Sequence, residues 1–298
     1  MIEKRKGEFI LLIGLIILLF ILNYPFIDNA LGNFLTSYEN AKVVRVIDGD
    51  TIVIDEGNQI KGTYGSPLST PPYTTPSFQM QVSPYTNPSL NKSHVRLLGI
   101  NSPEKGELYY DEAEKFLEGL ILNKTIKLEK GREDKDKYGR LLRYIFINDK
   151  NINLKIVEEG LANFYFPSGK DVYYESFKEA WENCLKGNKN LCKKSVDKCS
   201  YCIELKKFDY QNQEIVFINS CNFFCELTGW NIKDEGRKKF IFPNLSLGKG
   251  EEVKIKVGNE TNRNNVLFWK DEDYVWTSTG DSLFLRDEKG RLVIYENY

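Results

Sequence analysis

Residues 95–104 of this 298-residue chain bring together side chains whose types and spacing could perform phosphoryl transfer. Arg96 lies within an apolar run that predicts a strand, and Glu104 lies on the loop just past it. Asn101 and Ser102 place an amide oxygen and a hydroxyl between them. Phosphoryl transfer needs cations to spread the charge, a base for the attacking water and often a hard metal held by oxygen ligands. This stretch contains three of those parts.

Two further motifs add carboxylates and a second arginine. Asp48 and Asp50 are two positions apart in Ile-Asp-Gly-Asp-Thr, so on a strand they would share a face. Further along, Asp-Lys-Tyr-Gly-Arg is a polar turn that carries Tyr138 and Arg140 ahead of a predicted strand at residues 142–147. The three motifs together contain two arginines and four carboxylates that could act on one phosphate.

In this order the three motifs resemble the staphylococcal nuclease, or thermonuclease, family. The matching residues are Ile-Asp-Gly-Asp-Thr, then Arg-Leu-Leu-Gly-Ile-Asn-Ser-Pro-Glu, then Asp-Lys-Tyr-Gly-Arg, with a predicted helix between the second and third. Each motif alone is common in turns and at strand edges, but three in the family's order form a specific match over roughly residues 40–195. The resemblance implies an OB-like, five-stranded barrel with three helices.

The resemblance also implies a set of metal ligands. Asp50 is the expected main ligand, Asp48 assists it, and Asn101 and the Ser102 carbonyl are further ligands. The better-known family pattern has Asp then Thr at the last two positions, so asparagine keeps an oxygen but removes a charge. Calcium accepts mixed carboxylate, carbonyl and water ligands and is the expected cofactor.

The remaining roles concern catalysis and substrate. By resemblance, Glu104 orients or deprotonates the attacking water, while Arg96 and Arg140 hold the phosphate through bidentate contacts. Tyr138 is expected to contact the nucleotide. The predicted function is calcium-dependent hydrolysis of DNA and RNA outside the cytoplasm. The alternative is a catalytically weak nucleic-acid-binding or cell-surface interaction protein that uses the nuclease fold and a C-terminal sandwich domain as binding modules.

Net charge and histidine content exclude several modes of nucleic-acid binding and catalysis. The formal net charge is −1, whereas a protein that coats DNA non-specifically would be strongly basic, so nucleic-acid contact must be a local patch. The single histidine, His94, excludes mechanisms that use a histidine pair and zinc sites rich in histidine. We interpret His94 as a surface residue next to a loop. Carboxylates are then the available bases.

The predicted elements place these residues on a mainly β scaffold with some helix. Alternating apolar residues predict a hairpin or one bent strand over residues 41–55. Apolar residues at helical spacing predict a helix over residues 111–122, which Asn123 can end. Further strands are predicted at residues 95–100, 125–128 and 142–147, and further helices at residues 151–159 and 172–185. Residues 61–93 are rich in Pro, Ser and Thr and predict an inserted surface loop in a nuclease domain of residues 38–198.

Residues 1–37 predict a membrane segment. A basic cluster at residues 4–6 precedes an apolar run at residues 9–22, and no Lys or Arg follows until Lys42. The positive-inside rule then places the amino terminus in the cytoplasm and the rest of the chain outside. We favour an uncleaved transmembrane helix that anchors the protein, over a cleaved signal peptide that would leave it secreted.

The six cysteines all lie in one part of the chain, outside the catalytic motifs. They are Cys184, Cys192, Cys199, Cys202, Cys221 and Cys225. An even, clustered set in an extracytoplasmic chain predicts structural disulfides, with 15 possible pairings for six cysteines. The alternative is a zinc site formed by the last four, whose spacing is close to that of a zinc ribbon.

Residues 199–298 predict a second, all-β domain. Short apolar strands separated by Gly- and Asn-rich turns are typical of a β-sandwich. They are predicted at residues 214–218, 230–233, 239–242, 252–257, 282–285 and 292–295. Two stretches resemble the lamin-tail domain: Leu-Thr-Gly-Trp-Asn-Ile-Lys-Asp from Leu227 and Trp-Thr-Ser-Thr-Gly-Asp-Ser-Leu-Phe-Leu from Trp276. This resemblance implies an immunoglobulin-like fold that binds or positions a ligand of unknown identity.

Overall fold

The computed structural model describes residues 38–55 and 92–298. The part up to residue 192, the barrel unit, contains eight strands and three α-helices among its described residues. The strands are β1 (Tyr38–Asp48), β2 (Thr51–Asp55), β3 (Lys92–Leu97), β4 (Gly99–Asn101), β5 (Thr125–Lys135), β6 (Leu141–Ile147), β7 (Lys150–Asn151) and β8 (Asn163–Tyr165). The helices are α1 (Tyr110–Ile121), α2 (Ile152–Glu158) and α3 (Tyr174–Gly187).

Five of these strands close into a barrel. The order is β3-β2-β1-β5-β6, with antiparallel neighbours, and a parallel pairing of β3 with β6 closes the ring. Closure removes exposed sheet edges, and apolar side chains such as Val43, Ile52, Val95 and Ile145 fill the interior with almost no exposure. The predicted five-stranded barrel with three helices is confirmed.

Two glycines allow the chain to turn next to the predicted site residues. Gly49 lies between β1 and β2, where an added Cβ would be 2.7 Å from the Cβ of Ala113 and 2.8 Å from that of Ser102. Only glycine therefore lets this turn approach both α1 and the loop after β4. Gly99 has a φ of 73°, which divides the predicted strand at residues 95–100 into β3 and β4.

The three helices begin and end within two residues of their predicted bounds. Helix α1 buries Ala113, Leu117 and Ile121 against the barrel. Asn123 follows it with a positive φ of 61°, as expected of a residue that ends a helix. At the start of α2 the side chain of Asn151 accepts a hydrogen bond from the Leu154 amide.

Residues 199–298 form the sandwich unit, which has two four-stranded sheets. Its strands are β9 (Ile203–Asp209), β10 (Glu214–Asn219), β11 (Cys225–Glu226), β12 (Asn231–Lys233), β13 (Lys239–Ile241), β14 (Ser246–Leu247), β15 (Glu252–Val257), β16 (Val266–Trp269), β17 (Ser282–Arg286) and β18 (Leu292–Asn297). One sheet has the order β16-β15-β10-β9 and the other β13-β12-β17-β18. Side chains from both sheets, among them Phe217, Ile255, Ile232 and Leu285, share one buried core.

Strand β17 joins this core to that of the barrel unit. Leu283 and Leu285 belong to the sandwich core, whereas Phe284 belongs to the barrel-side core. The Phe284 ring lies edge-on to Trp181 of α3, with 5.7 Å between the ring centroids. The two units are therefore packed on each other through apolar side chains.

All six cysteines form disulfides in this structure. The pairs are Cys184–Cys192, Cys199–Cys225 and Cys202–Cys221, with Cα–Cα distances of 5.9, 5.6 and 5.2 Å. The disulfide interpretation is thus the one that the structure adopts over the four-thiolate zinc site.

Two predictions fall largely outside the described residues. The predicted transmembrane helix in residues 1–37 lies outside them entirely, as does the predicted insertion at residues 61–93 apart from its last two residues. Those two, Lys92 and Ser93, belong to β3 because they continue its pairing with Asp55 and Ile54. In residues 38–55 and 92–298, no helix is long and apolar enough to cross a bilayer.

Candidate active site

Asp50 lies at the centre of a buried polar cluster on the barrel unit. The β1–β2 turn carries it, and its side chain is 5% exposed. Its Oδ2 accepts a 2.8 Å hydrogen bond from the Ser102 amide and lies 2.9 Å from Nη1 of Arg96. Its Oδ1 accepts a hydrogen bond of 3.1 Å from the Thr51 hydroxyl. The turn after β1 and the loop after β4 thus meet at one carboxylate.

Asp48 adds a second carboxylate to the same turn. Its Oδ1 accepts a 3.0 Å hydrogen bond from the backbone amide of Asp50. Burial, followed by the negative charge of Asp50, raises the pKa of Asp48 to about 6. Two carboxylates crowded in this way favour a cation between or beside them.

Arg96 points from β3 into this cluster and is 8% exposed. Besides Asp50, its guanidinium donates from Nη2 to Oδ1 of Asn101 at 3.2 Å and from Nη1 to the Leu97 carbonyl at 3.0 Å. Three oxygen atoms therefore hold the Arg96 guanidinium in a fixed orientation. A planar guanidinium in that position suits bidentate recognition of a phosphate.

Asn101 ends β4 and connects the cluster to the sandwich unit. Its Nδ2 donates to the carbonyl oxygens of Gly236 at 2.7 Å and Glu235 at 3.3 Å. Asn163, its partner on β8, donates to the same Glu235 carbonyl at 2.9 Å. The loop between β12 and β13 therefore lies directly on Asn101, one of the predicted metal ligands.

Glu104 stands at the edge of the cluster, with a side chain that is 47% exposed. Its Oε1 lies 2.7 Å from Nε of Arg237, which the same β12–β13 loop carries. Its backbone amide donates to Oε2 of Glu107 at 3.0 Å. Glu104 is therefore open to water, as a base for an attacking water molecule must be.

Arg140 lies in the turn before β6, with Tyr138 beside it. Nε of Arg140 is 2.7 Å from Oδ2 of Asp136, and its Cζ lies 5.5 Å from the centroid of the Tyr138 ring. Arg140 and Arg96 line one cavity of about 240 Å³. Tyr138 is 68% exposed beside it. The cavity walls bear three arginines, Arg96, Arg132 and Arg140, which could receive a phosphate, and aromatic rings from residues 144 and 165–166, which could receive a base.

The predicted residues thus fall into a central group, buried except for the half-buried Asp48, and a rim. Asp48, Asp50, Arg96, Asn101 and Ser102 contact one another, while Glu104, Arg140 and Tyr138 surround them without touching Asp50 in any described contact. Sequence reasoning missed the contributions of the β12–β13 loop. Because that loop lies about 130 residues after the motifs it contacts, no local spacing signals it.

Comparison with known proteins agrees with this geometry. A family profile described as staphylococcal nuclease homologue matches residues 94–194. The thermonuclease of Staphylococcus hyicus is 28% identical over 175 residues, which cover 56% of this chain and 82% of that protein. The thermonuclease of Staphylococcus intermedius is 30% identical over 159 residues, covering 51% and 76% respectively.

A third relative is an uncharacterized endonuclease of Haemophilus influenzae, 36% identical over 85 residues that cover 28% of this chain and 47% of that protein. The profile match contains Arg96, Glu104 and Arg140 and ends in the loop after α3. Motifs, barrel and relatives agree, and the chain therefore belongs to the staphylococcal nuclease family of enzymes that hydrolyse phosphodiester bonds.

Proposed function

We propose that this protein is a calcium-dependent nuclease that hydrolyses DNA and RNA by in-line attack of water. The observation that carries the proposal is the buried group of Asp50, Arg96 and Asn101, in which a carboxylate, a guanidinium and an amide oxygen converge within 3.2 Å contacts. A merely structural cluster would not require an exposed carboxylate such as Glu104 at its edge.

The donor atoms suit a calcium ion. Asp48 and Asp50 offer carboxylate oxygens, Asn101 an amide oxygen and Ser102 its backbone carbonyl, and all four are hard oxygen ligands of the kind calcium prefers. The raised pKa of Asp48 reflects burial and the neighbouring charge of Asp50, and a divalent cation would relieve that repulsion. We propose these four residues as the ones that hold calcium.

Each remaining residue has one task in this proposal. Arg96 and Arg140, which both line the cavity, orient the scissile phosphate and stabilise the negative charge that develops on it. Glu104 positions an attacking water and accepts its proton, and Tyr138 contacts the nucleotide. When bound, calcium supplies a hard Lewis acid beside the phosphate oxygens.

Cleavage assays with the full chain test this proposal. Labelled single-stranded DNA and RNA are incubated with the protein in calcium, in magnesium and in excess chelator. We expect both substrates to be cleaved in calcium and neither in chelator. Binding of DNA without cleavage in any metal would favour the alternative, a nucleic-acid-binding protein that has lost activity.

We also propose the compartment and the organisation of the chain. Three disulfides support an oxidising, extracytoplasmic location, since such bonds persist there and are rare in the cytosol. The two buried cores support a nuclease domain of residues 38–198 followed by a lamin-tail-like, immunoglobulin-like domain of residues 199–298. Digestion of both domains by protease added to intact cells is the expected result for a chain anchored through residues 1–37.

A further inference from the structure

The loop of residues 234–238, between β12 and β13, contacts the nuclease site through backbone atoms. The carbonyl oxygens of Glu235 and Gly236 both face Nδ2 of Asn101, at 3.3 and 2.7 Å. On its other side Asn101 faces Nη2 of Arg96, which donates to Oδ1 at 3.2 Å. The amide of Asn101 therefore lies between two acceptors from the sandwich unit and one donor from the barrel.

These contacts fix which end of the amide faces Arg96. If the amide were turned over, its oxygen would lie against two carbonyl oxygens, and its NH₂ group would lie against the guanidinium of Arg96. Both arrangements place like groups together in a buried position, where an unpaired polar group destabilises the folded state. The loop carbonyls and Arg96 thus select the orientation that presents Oδ1 to the cluster.

The loop is itself held in place by both units. Asn163, beside Asn101 on β8, donates to the Glu235 carbonyl at 2.9 Å. Within the loop, the Asp234 amide donates to the Lys238 carbonyl at 3.2 Å, and the Lys238 amide donates to Oδ1 of Asp234 at 2.9 Å. The Glu235 amide donates to Oδ1 of Asp281, next to β17, at 3.4 Å. The two carbonyls are therefore presented by a closed, tethered turn.

An aspartate at position 101 would not fit this surface. A carboxylate has only acceptor oxygens, so one of them would face the Glu235 and Gly236 carbonyls with no hydrogen to share. Asparagine satisfies both sides, because its NH₂ group donates to the loop carbonyls and its oxygen accepts a hydrogen bond from Arg96. The identity of residue 101 is thus matched to the sandwich unit as well as to the cluster.

We propose that the β12–β13 loop belongs to the nuclease site. The backbone carbonyls of Glu235 and Gly236 on this loop position the Asn101 oxygen as a metal ligand. Glu235 and Gly236 are positioning residues, and the sandwich unit completes a site whose other ligands lie on the barrel. This inference rests on the proposed calcium site, and it makes calcium affinity depend on a loop that contains no ligand.

The test compares one substitution in two backgrounds. The first background is the full chain. In the second, residues 235–237 of the full chain are replaced by Asn-Gly, a two-residue hairpin turn that keeps β12 and β13 paired but is too short to bring its backbone carbonyls to Asn101. Calcium affinity is measured by titration calorimetry in both, with and without Asn101→Asp. Thermal unfolding of each protein confirms that it is folded.

We expect the effect of Asn101→Asp to change sign between the backgrounds. With the loop intact, the carboxylate faces two carbonyls and calcium binding weakens, by about 10-fold, as for other disturbed outer-shell partners. With the loop shortened, the carboxylate is unopposed, and its added charge strengthens calcium binding by about 10-fold. Loop shortening alone weakens binding by about 10-fold.

Asn219→Asp is the matched control. Asn219 is also fully buried, and its Nδ2 donates to the carbonyls of Phe223 at 2.9 Å and Leu247 at 2.8 Å, away from the nuclease site. We expect this variant to lower the melting temperature while calcium affinity stays within about 2-fold of wild type, because Asn219 touches no ligand.

An effect of Asn101→Asp with the same sign in both backgrounds overturns the inference, and so does the absence of calcium binding by the wild-type chain. DNA cleavage by the wild-type chain, measured alongside, reports on the nuclease proposal by itself. Cleavage without the sign change leaves the nuclease proposal standing and refutes the role of the loop.

Discussion

Glu104 differs from the other candidate catalytic groups in its access to water. Its side chain is 47% exposed, whereas Asp50 and Arg96 are buried and hold each other at 2.9 Å. Buried groups keep a fixed geometry, which suits charge stabilisation, and an exposed carboxylate can exchange water and protons with solvent. The difference in burial agrees with the difference in proposed role.

This difference predicts the behaviour of Glu104→Gln. The amide cannot accept the proton, so the rate of DNA cleavage should fall by about 100- to 10,000-fold. Calcium binding and calorimetric binding of a nucleotide bisphosphate should persist, because no proposed metal or phosphate contact is removed. Glu112→Gln, an exposed change on α1, is the matched control and should cleave at the wild-type rate. A Glu104→Gln protein that cleaves as fast as wild type would remove Glu104 from the mechanism.

At the residue scale, the sequence could predict groups that are close in the chain or fixed by a motif. Asp50 and Arg96 lie in recognisable motifs, and the structure brings them into contact. Arg237 and Gly236 could not be predicted, because tertiary packing alone brings their loop to Asn101 and Glu104. The charge that asparagine lacks at position 101 was visible in the sequence, but the carbonyls that it faces were not.

Strand β17 contributes buried side chains to the cores of both units. All five of its residues are buried, with Leu283 and Leu285 on the sandwich side and Phe284 on the barrel side. The Phe284 ring contacts both Trp181 and Tyr295, at centroid distances of 5.7 and 5.3 Å. A strand with apolar side chains on both faces is typical of a position between two packed layers.

Phe284→Ala should therefore destabilise the whole molecule. Loss of a buried phenylalanine ring costs about 3–5 kcal/mol, from lost burial and the cavity left beside Trp181. The free energy of unfolding, measured with urea, should fall by that amount. Phe224→Ala, at a ring that is 73% exposed, is the control and should change it by no more than about 0.5 kcal/mol. Equal effects of the two substitutions would contradict the packing described for β17.

At the element scale, apolar periodicity predicted the helices and most barrel strands, but not where polar strands continue. Strand β5 extends to Lys135, through Glu129 and a run of charged residues, although the apolar pattern ends at Leu128. Pairing with β6 holds that polar extension in place, with Lys135 opposite Leu141. The short β8 was also missed, because its three residues form a strand only by pairing with β4.

For the molecule as a whole, the junction between the units contains carboxylates that titrate near neutral pH. Burial, followed by the charge of Asp281, raises the pKa of Asp234 to about 7, against the opposing effect of the Lys238 amide and of Lys233 and Lys238. Burial and the same neighbour raise the pKa of Glu235 to about 8. The folded chain therefore holds protons that the unfolded chain releases at lower pH.

This arrangement predicts that the molecule loses stability as pH rises. The stabilising effect of protonated Asp234 is fully present below its ordinary pKa of 3.8 and is lost as pH rises through about 7. Between pH 5 and pH 8 the free energy of unfolding should fall by roughly 1–3 kcal/mol more in wild type than in Asp234→Asn. Urea unfolding at the two pH values measures this difference. Asp111→Asn, at an exposed position on α1, should keep the wild-type dependence, and an Asp234→Asn protein that also keeps it would contradict the assignment.

We propose that the buried cluster around Asp50 holds a calcium ion used for phosphodiester hydrolysis. The most direct measurement is the initial rate of single-stranded DNA cleavage as calcium is titrated, for the wild-type full chain and for Asp50→Ala. We expect the wild-type rate to rise to saturation with calcium, and the Asp50→Ala rate to stay at the level seen in chelator, because the main ligand is gone. Cleavage by wild type that is as fast in chelator as in calcium, or an Asp50→Ala curve that matches wild type, would contradict it.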